Sequence, residues 1–335
     1  MNSEIKIRFG VLGCSRVAKK SVLPALIDSQ FGEPVIIGSR NLKDARITAE
    51  KYHCTCGSYD EVLNSKDIDA VYISLPNALH EEWVIKAAEA GKHVWCEKPA
   101  ALTYKSAKKM VEAARENNVR LFEGFMFLSH PQHKKVRDLI ESGALGKLMT
   151  FEGCFAYPSP SKDSNLFNGE LGGGSYNDSA VYPICASRMI FGDEPISAVC
   201  HLSVDPETKV DVKSDMLISY PKGKAAFISS AFGSQFRSTY SILGSSAHVA
   251  MERAYAVPKD KATKIFLNSG DSETIISVEA ADQFLIMIDD FCRNIILGDK
   301  STKHYEEDLL AQARVLDAGR RSHLEKRIVQ LREII

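Results

Sequence analysis

The chain has 335 residues, 44% of them hydrophobic and 25% charged, with a formal net charge of −1. That composition suits a globular protein of one large or two ordinary domains, and the absence of any long block of one sign argues against a nucleic-acid stripe or a polybasic membrane patch. MNSEIKIRFGVLG lacks the layout of a signal peptide, no apolar run approaches the ~20 residues of a bilayer span, and the eight cysteines are sparse; reduced thiols and a cytoplasmic location are expected. Cys54 and Cys56 form a C-x-C pair with no second pair to complete a zinc site, so no metal is expected.

Strand and helix patterns alternate over the first ~125 residues. IKIRFGVLG reads as a strand, SRVAKKSVLPALIDS as a helix, PVIIGSR as a strand and LKDARITAEKYH as a helix. A short helix over Asp60–Asn64 precedes the apolar strand IDAVYISLP. ALHEEWVIKAAEAG is an amphipathic helix closed by Gly91, followed by strand KHVWCEKP, helix TYKSAKKMVEAARENN and strand VRLFEGF. Such alternation predicts a parallel sheet covered on both faces. The character changes after about residue 145. KLMTFEGCFAY is a strand, the stretch from Pro158 to Gly174 is rich in Pro, Ser, Asn and Gly, and a helix runs from about Ser175 to Phe191. AVCHLSV, DVKSDMLISY, KAAFISSAF, STYSILG, HVAME, TKIFLN and ETIISVE are strands joined by turn signals, and two helices, QFLIMIDDFCRNIIL and YEEDLLAQARVLDAGRRSHLEK, close the chain.

FGVLGCSRVA places Gly10 and Gly13 between the first strand and the first helix. Glycines there permit a tight turn and let backbone N–H groups approach a pyrophosphate at the helix N-terminus, with Cys14, Ser15, Arg16 and Val17 completing the turn. Val17 and Ala18 stand where the full dinucleotide pattern has its third glycine, and the alternative is that the glycines merely turn the chain. The second strand ends in Gly38-Ser39-Arg40-Asn41, without the acid that accepts from an adenosine ribose. The donor fork of Arg40, with Ser39, suits a 2′-phosphate, so NADP(H) is the preferred cofactor and NAD(H) the other possibility; an arginine stacked on adenine fits either. The chain is therefore read as α/β, with an N-terminal Rossmann dinucleotide-binding domain over residues 1–125. A C-terminal α+β domain on a mostly antiparallel open sheet follows over 126–335, for substrate binding and oligomerisation, and its last helix can pack back on the first domain.

Taken together, SLPNALH, GKHVWCEKPAAL and EGFMFLSHPQHKKVRDLIESGALGKL resemble the glucose–fructose oxidoreductase/inositol dehydrogenase/MocA (GFO/IDH/MocA) family from residue 5 to at least residue 192, and GCSRVAKKSVLPAL resembles its sugar 3-ketoreductase and dihydrodiol dehydrogenase-like branch. The resemblance implies that Lys98 is the catalytic lysine beside the nicotinamide and substrate, with Glu97 beside it and Pro99 shaping the turn; a cis Lys98-Pro99 bond would suit such a turn. It also implies that Leu75, Pro76, Asn77 and His80 pass the nicotinamide ribose. Chemistry gives a separate reason for the lysine: hydride transfer to a carbonyl builds negative charge on oxygen, which needs a donor or a fixed cation.

ELGGGSYNDSAVYPICASRMIFG carries the second constellation. Three consecutive glycines let backbone run close to something, and Asp178 and Tyr182 project from one helix face. By resemblance, Tyr182 is the proton donor or acceptor and Asp178 orients the substrate. The chain departs from the family pattern in having Asn165 and Asn168 where a basic residue is common before the glycines, and Ala180 two positions after the aspartate. Phe125, with Met126, Asn165 and Gln283 are placed around the substrate, and His130 and His133 in SHPQH are read as structural. The expected activity is NADP(H)-dependent hydride transfer to the keto group of a nucleotide-activated sugar. The alternatives are oxidation of a free sugar, cyclitol or trans-dihydrodiol and, in another class, a non-catalytic dinucleotide sensor. The family pairs its second sheet with a second copy, so a homodimer or homotetramer is implied.

Overall fold

In the computed structural model, residues 5–298 and 304–335 are described. β1 (Ile7–Leu12), β2 (Gly32–Gly38), β3 (Thr55–Gly57), β4 (Ala70–Ile73), β5 (His93–Cys96) and β6 (Leu121–Glu123) form a six-stranded sheet in the order β3-β2-β1-β4-β5-β6. All neighbours are parallel. The crossover helices are α1 (Leu23–Asp28), α2 (Leu42–Tyr52), α3 (Tyr59–Asn64), α4 (His80–Glu89) and α5 (Tyr104–Glu116). Helices on both faces explain why β4 is buried at every position and reads as an unbroken apolar run. Chain order reverses between β1 and β4, and the carboxyl ends of strands at such a switch point are where doubly wound sheets bind ligands.

The remaining elements are α6 (Pro131–Glu141), β7 (Leu148–Tyr157), α7 (Val181–Phe191), β8 (Ser197–Val204), β9 (Asp211–Ser219), β10 (Ala225–Phe232), β11 (Arg237–Gly244), β12 (His248–Met251), β13 (Thr263–Ser269), β14 (Ser272–Val278), α8 (Gln283–Leu297), α9 (Tyr305–Glu325) and β15 (Val329–Gln330). They supply a nine-stranded sheet ordered β14-β13-β12-β11-β7-β10-β9-β8-β15. Only the β7–β10 pairing is parallel. α7 packs against β7 and β10, covering one face. On the other, Val199, Leu217 and Phe227 are cross-strand neighbours on β8, β9 and β10, with Val199 36% and Phe227 49% exposed.

The described residues of Met1–Ala101, Lys105–Met126 and Phe284–Leu310 form one compact unit, and those of Leu102–Tyr104, Phe127–Gln283 and Ala311–Ile335 another. The first unit thus includes nearly all of α8 and the start of α9, which a division at residue 125 assigns to the second domain. The reason is apolar: Met287, Ile288, Phe291 and Cys292 of α8 are buried in one core with Phe9, Val22, Leu26, Tyr72 and Trp95. Two helices read as regular from the sequence begin on wider π-turns, Ala18–Val22 ahead of α1 and Tyr176–Ala180 ahead of α7. A proline follows each turn. Pro24 and Pro183 have no N–H for the carbonyls of Lys20 and Ser179, and the preceding turn widens.

Candidate active site

The carboxyl ends of β1 and β4 lie side by side in the first unit. Gly13 has φ +97°, and a Cβ there would lie 3.0 Å from the Ser74 carbonyl oxygen and from Leu75 Cδ2. Its N–H donates to the Gly38 carbonyl at 2.9 Å, so both conformation and space demand glycine. Helical turns begin at Arg16, Ser15 Oγ accepts from Ala18 N at 3.0 Å, and Arg16 and Val17 are exposed. Burial pushes the neighbouring Cys14 thiol up. Gly10 has another use than the expected one: it lies within β1, and a Cβ there would meet Val62 Cγ1 at 2.5 Å and Ile68 Cδ1 at 2.8 Å. Its missing side chain seats α3 on the sheet. At the end of β2, Ser39 is buried and its Oγ accepts from Asn41 N at 3.1 Å. Asn41 caps α2, and Arg40 is exposed and makes no ion pair among the described residues. A left-handed glycine turn opening onto a helix start, with an uncommitted guanidinium past β2, fits a dinucleotide carrying a 2′-phosphate.

The turn after β5 is held from several sides. The Lys98-Pro99 peptide bond is cis. Tyr72 Oη donates to Glu97 Oε1 at 2.8 Å, and Ala100 N donates to Glu123 Oε1 at 2.8 Å. His80 is wholly buried, with Nδ1 2.9 Å from the Pro99 oxygen and Nε2 2.9 Å from the Leu75 oxygen. This corrects its expected contact with the cofactor: both ring nitrogens face backbone carbonyls, and the ring ties the loop after β4 to the loop after β5. Burial holds the imidazole below its ordinary pKa, and a neutral ring has a single N–H, which donates to one of the two carbonyls at a time. Lys98 is half-buried at the tip of this braced turn, Leu75 is buried, Pro76 is half-buried, and Asn77 opens a short 3₁₀ turn leading into α4.

In the second unit, Tyr182 is 5% exposed and walled by aromatic rings, with centroids 5.1 Å from Phe155, 5.8 Å from Tyr255 and 5.9 Å from Phe127. Four residues earlier, Asp178 Oδ2 accepts a short hydrogen bond from Tyr157 Oη. Tyr157 ends β7 and escaped the sequence reading; its one signal was an aromatic in phase with Phe151 and Phe155 at a strand end. Burial first, then the Asp178 charge, pushes the Tyr157 phenol well above its ordinary value. It therefore stays protonated and donates to Asp178.

The glycine run admits the chain itself. A Cβ on Gly173 would lie 2.5 to 2.8 Å from the carbonyl oxygens of Leu166, Asn165 and Asn168, and one on Gly174, where φ is +113°, would strike the Asp211 carboxylate. Asn165 is exposed in this stitched turn and borders a surface cavity of about 590 Å³ with Lys162, Asn168 and Lys209; neither Asp178 nor Tyr182 lines it. Gln283 is buried and its Nε2 donates to the Val257 carbonyl at 3.1 Å. Phe125 is buried after β6, and Met126 packs on the core of the first unit. His133 has the structural role expected of it, with Nδ1 3.0 Å from Tyr240 Oη and Nε2 2.9 Å from the Ala254 oxygen.

The family model described as "Oxidoreductase family, NAD-binding Rossmann fold" matches residues 7–125, and that described as "GFO/IDH/MocA C-terminal domain" matches residues 133–250. The chain is 35% identical to a dTDP-3,4-didehydro-2,6-dideoxy-alpha-D-glucose 3-reductase from Saccharopolyspora spinosa, over 87% of this chain and 88% of that one. It is 27% identical to D-xylose 1-dehydrogenase (NADP(+)) 2 of Haloferax volcanii, over 92% and 95%. Among solved structures, KijD10, a 3-ketoreductase from Actinomadura kijaniata in complex with NADP and TDP-benzene, superposes with a TM-score of 0.91 at 31% identity, over 95% of this chain and 98% of that one.

Proposed function

The chain belongs to the GFO/IDH/MocA oxidoreductases, and we propose that it reduces a keto group on a nucleotide-activated sugar with NADP(H). One spacing carries this reading. KijD10 variants have been solved, with TDP-benzene and NADP, in which one lysine is replaced by alanine or glutamate and one tyrosine by phenylalanine. Those two positions are 84 residues apart, the separation of Lys98 and Tyr182.

Bound NADPH supplies the hydride that the carbonyl carbon receives. The chain's residues manage the oxygen, which gains negative charge and takes a proton. Tyr182 Oη gives that proton. A phenol with an ordinary pKa near ~10 is a reluctant donor, and the Lys98 ammonium stabilises the phenolate left behind. Asp178 holds a sugar hydroxyl with the acceptor capacity it keeps beside Tyr157. Backbone N–H groups of residues 14–17 take the pyrophosphate, Ser39 and Arg40 the 2′-phosphate, and Leu75, Pro76 and Asn77 the nicotinamide side. A second copy covers the open sheet face around Val199, Leu217 and Phe227 as a homodimer or homotetramer; a single-chain mass by sedimentation at micromolar concentration would exclude it.

The xylose dehydrogenase relative supports a second reading, NADP-linked oxidation of a free sugar. Loss of NADPH absorbance with dTDP-3,4-didehydro-2,6-dideoxy-D-glucose supports the first; reduction of NADP⁺ by D-xylose supports the second. Cofactor binding without turnover of either, or of a wider panel of keto-sugars, leaves the non-catalytic sensor. Tyr182→Phe should bind NADPH as the parent does and lose about 10²- to 10⁴-fold in turnover. Full activity in that variant removes the assignment.

A further inference from the structure

The segment that follows the Glu97-Lys98-Pro99 turn does not stay with the first unit: Leu102–Tyr104 belongs to the second. There the Tyr104 N–H donates to Asp317 Oδ2 at 2.7 Å. Arg314 Nη2 donates to Tyr104 Oη, and its guanidinium lies 4.5 Å from the centroid of the same ring. The other Asp317 oxygen is 3.5 Å from Arg320 Nη1. Arg320 Nη2 donates to Asn177 Oδ1 at 2.5 Å, and its guanidinium lies 5.4 Å from the Tyr176 ring centroid. Asn177 Nδ2 in turn donates to the carbonyls of Gly172 and Gly173, at 3.2 and 3.1 Å.

Spacing and fit make this an ordered relay. Residues 314, 317 and 320 recur every third position and share one face of α9. Gly319 lets that helix approach the π-turn: a Cβ there would strike Tyr176 Oη, which donates to the Leu316 carbonyl at 3.0 Å. The two Asp317 oxygens go to two different segments, and so do the two terminal nitrogens of Arg320. One side chain of each kind thus joins the backbone after Lys98 to the turn that presents Asp178 and Tyr182. A partly buried ion pair is weak evidence of stabilisation by itself, because desolvation offsets its attraction. A planar donor fork facing a carboxylate and an amide is instead suited to fixing direction.

We propose that Asp317 and Arg320 are positioning residues that hold the segment after Lys98 and the glycine–π-turn segment before Tyr182 in one register. The proposal rests on the reading in which Lys98 and Tyr182 act in one reaction. Asp317→Ala, Asp317→Asn, Arg320→Ala and Arg320→Lys, assayed with NADPH and dTDP-3,4-didehydro-2,6-dideoxy-D-glucose, test it. Both alanine variants should lose at least about tenfold in kcat with little change in KM, since a misplacement near 1 Å is enough for that. Asp317→Asn, which keeps an acceptor for Tyr104, should lose less. With NADPH deuterated at the transferred C4 position, the isotope effect on kcat should rise in the alanine variants, because hydride transfer becomes slower relative to release. Hydrogen exchange read without substrate should show the Tyr104 amide at least about tenfold less protected in Asp317→Ala. Unchanged exchange at Tyr104, wild-type kcat in both alanine variants, or a kcat loss with an unchanged isotope effect, as a smaller folded fraction would give, each overturns the proposal. A fully active Tyr182→Phe, or a parent enzyme inert toward the keto-sugar, instead removes the underlying reading; the exchange measurement still decides the contact.

Discussion

His80 offers the sharpest test of how the candidate lysine turn is held. Replacing it with leucine keeps a side chain of similar bulk, so little of the effect comes from an empty space. What disappears is the ring that faces both the Leu75 and Pro99 carbonyls, each at 2.9 Å. The neutral imidazole donates one N–H, so the substitution removes one buried hydrogen bond and strands its acceptor. That costs about 1–3 kcal/mol, and a middle value of about 2 kcal/mol corresponds to about a 30-fold smaller folding constant. His80→Gln can donate one N–H to either carbonyl and should recover about half of the loss. Urea unfolding near neutral pH measures both, and NADPH titration reports the loops: dissociation should rise in His80→Leu and return toward the parent value in His80→Gln. A His80→Leu protein as stable as the parent, or a His80→Gln protein no better than His80→Leu, refutes the idea that this ring acts through a buried hydrogen bond to one of the two loop carbonyls.

Two further outcomes follow from charge. Arg40→Ala should weaken NADPH binding by about 10- to 100-fold, the loss of one or two charge-assisted hydrogen bonds, while NADH binding moves little; equal weakening of both, by fluorescence titration, would place Arg40 on the adenine instead. Burial lowers the His133 pKa to about 3, with Arg137 and His130 acting in the same direction. The unfolded imidazole takes a proton below pH ~6.5 while the folded one stays neutral, so the unfolded state binds more protons. His133 then subtracts stability as pH falls from about 6.5 toward 3, by up to about 1.4 kcal/mol per pH unit, and contributes no slope above that range. In urea unfolding at stepped pH, His133→Gln should show a slope shallower by one proton. An identical slope in parent and variant would mean that the ring is protonated in the fold.

Several features were legible because they follow from periods of two and 3.6. The unbroken apolar run of β4 announced a strand covered on both faces, and the succession of strand patterns joined by turn signals announced a mostly antiparallel second sheet. Other features were not. QFLIMIDDFC plainly has an apolar face, yet nothing in a helical period says which core it meets, and α8 joined the core beside Phe9 and Trp95. Pro24 and Pro183 were visible inside helical patterns, but an amphipathic period tolerates one wide turn and conceals it. The triple glycine was read as letting backbone run close to something, and nothing in the three letters says that the something is the chain itself. Its neighbours are the carbonyls of residues 165, 166 and 168 and the carboxylate of Asp211.

The candidate site divides along the same line. Lys98 and Tyr182 stand out in the sequence because chemistry restricts what can occupy such positions, and their neighbours repeat recognisable words. The groups that brace them do not stand out. Glu123 holds the Ala100 N–H, Asp211 the Tyr176 N–H at 2.6 Å, Asp317 the Tyr104 N–H and His80 the loop carbonyls. Each is an ordinary polar residue whose partner is a backbone group many positions away, and a backbone group looks the same in every residue. A buried N–H or C=O outside regular structure must nonetheless find a partner, so every irregular turn that presents a reactive side chain implies at least one such bracing group. The N–H of Ala100 and that of Tyr176 lie just outside β5 and α7, where no ladder or helix can satisfy them, and a carboxylate beside each is the physical consequence.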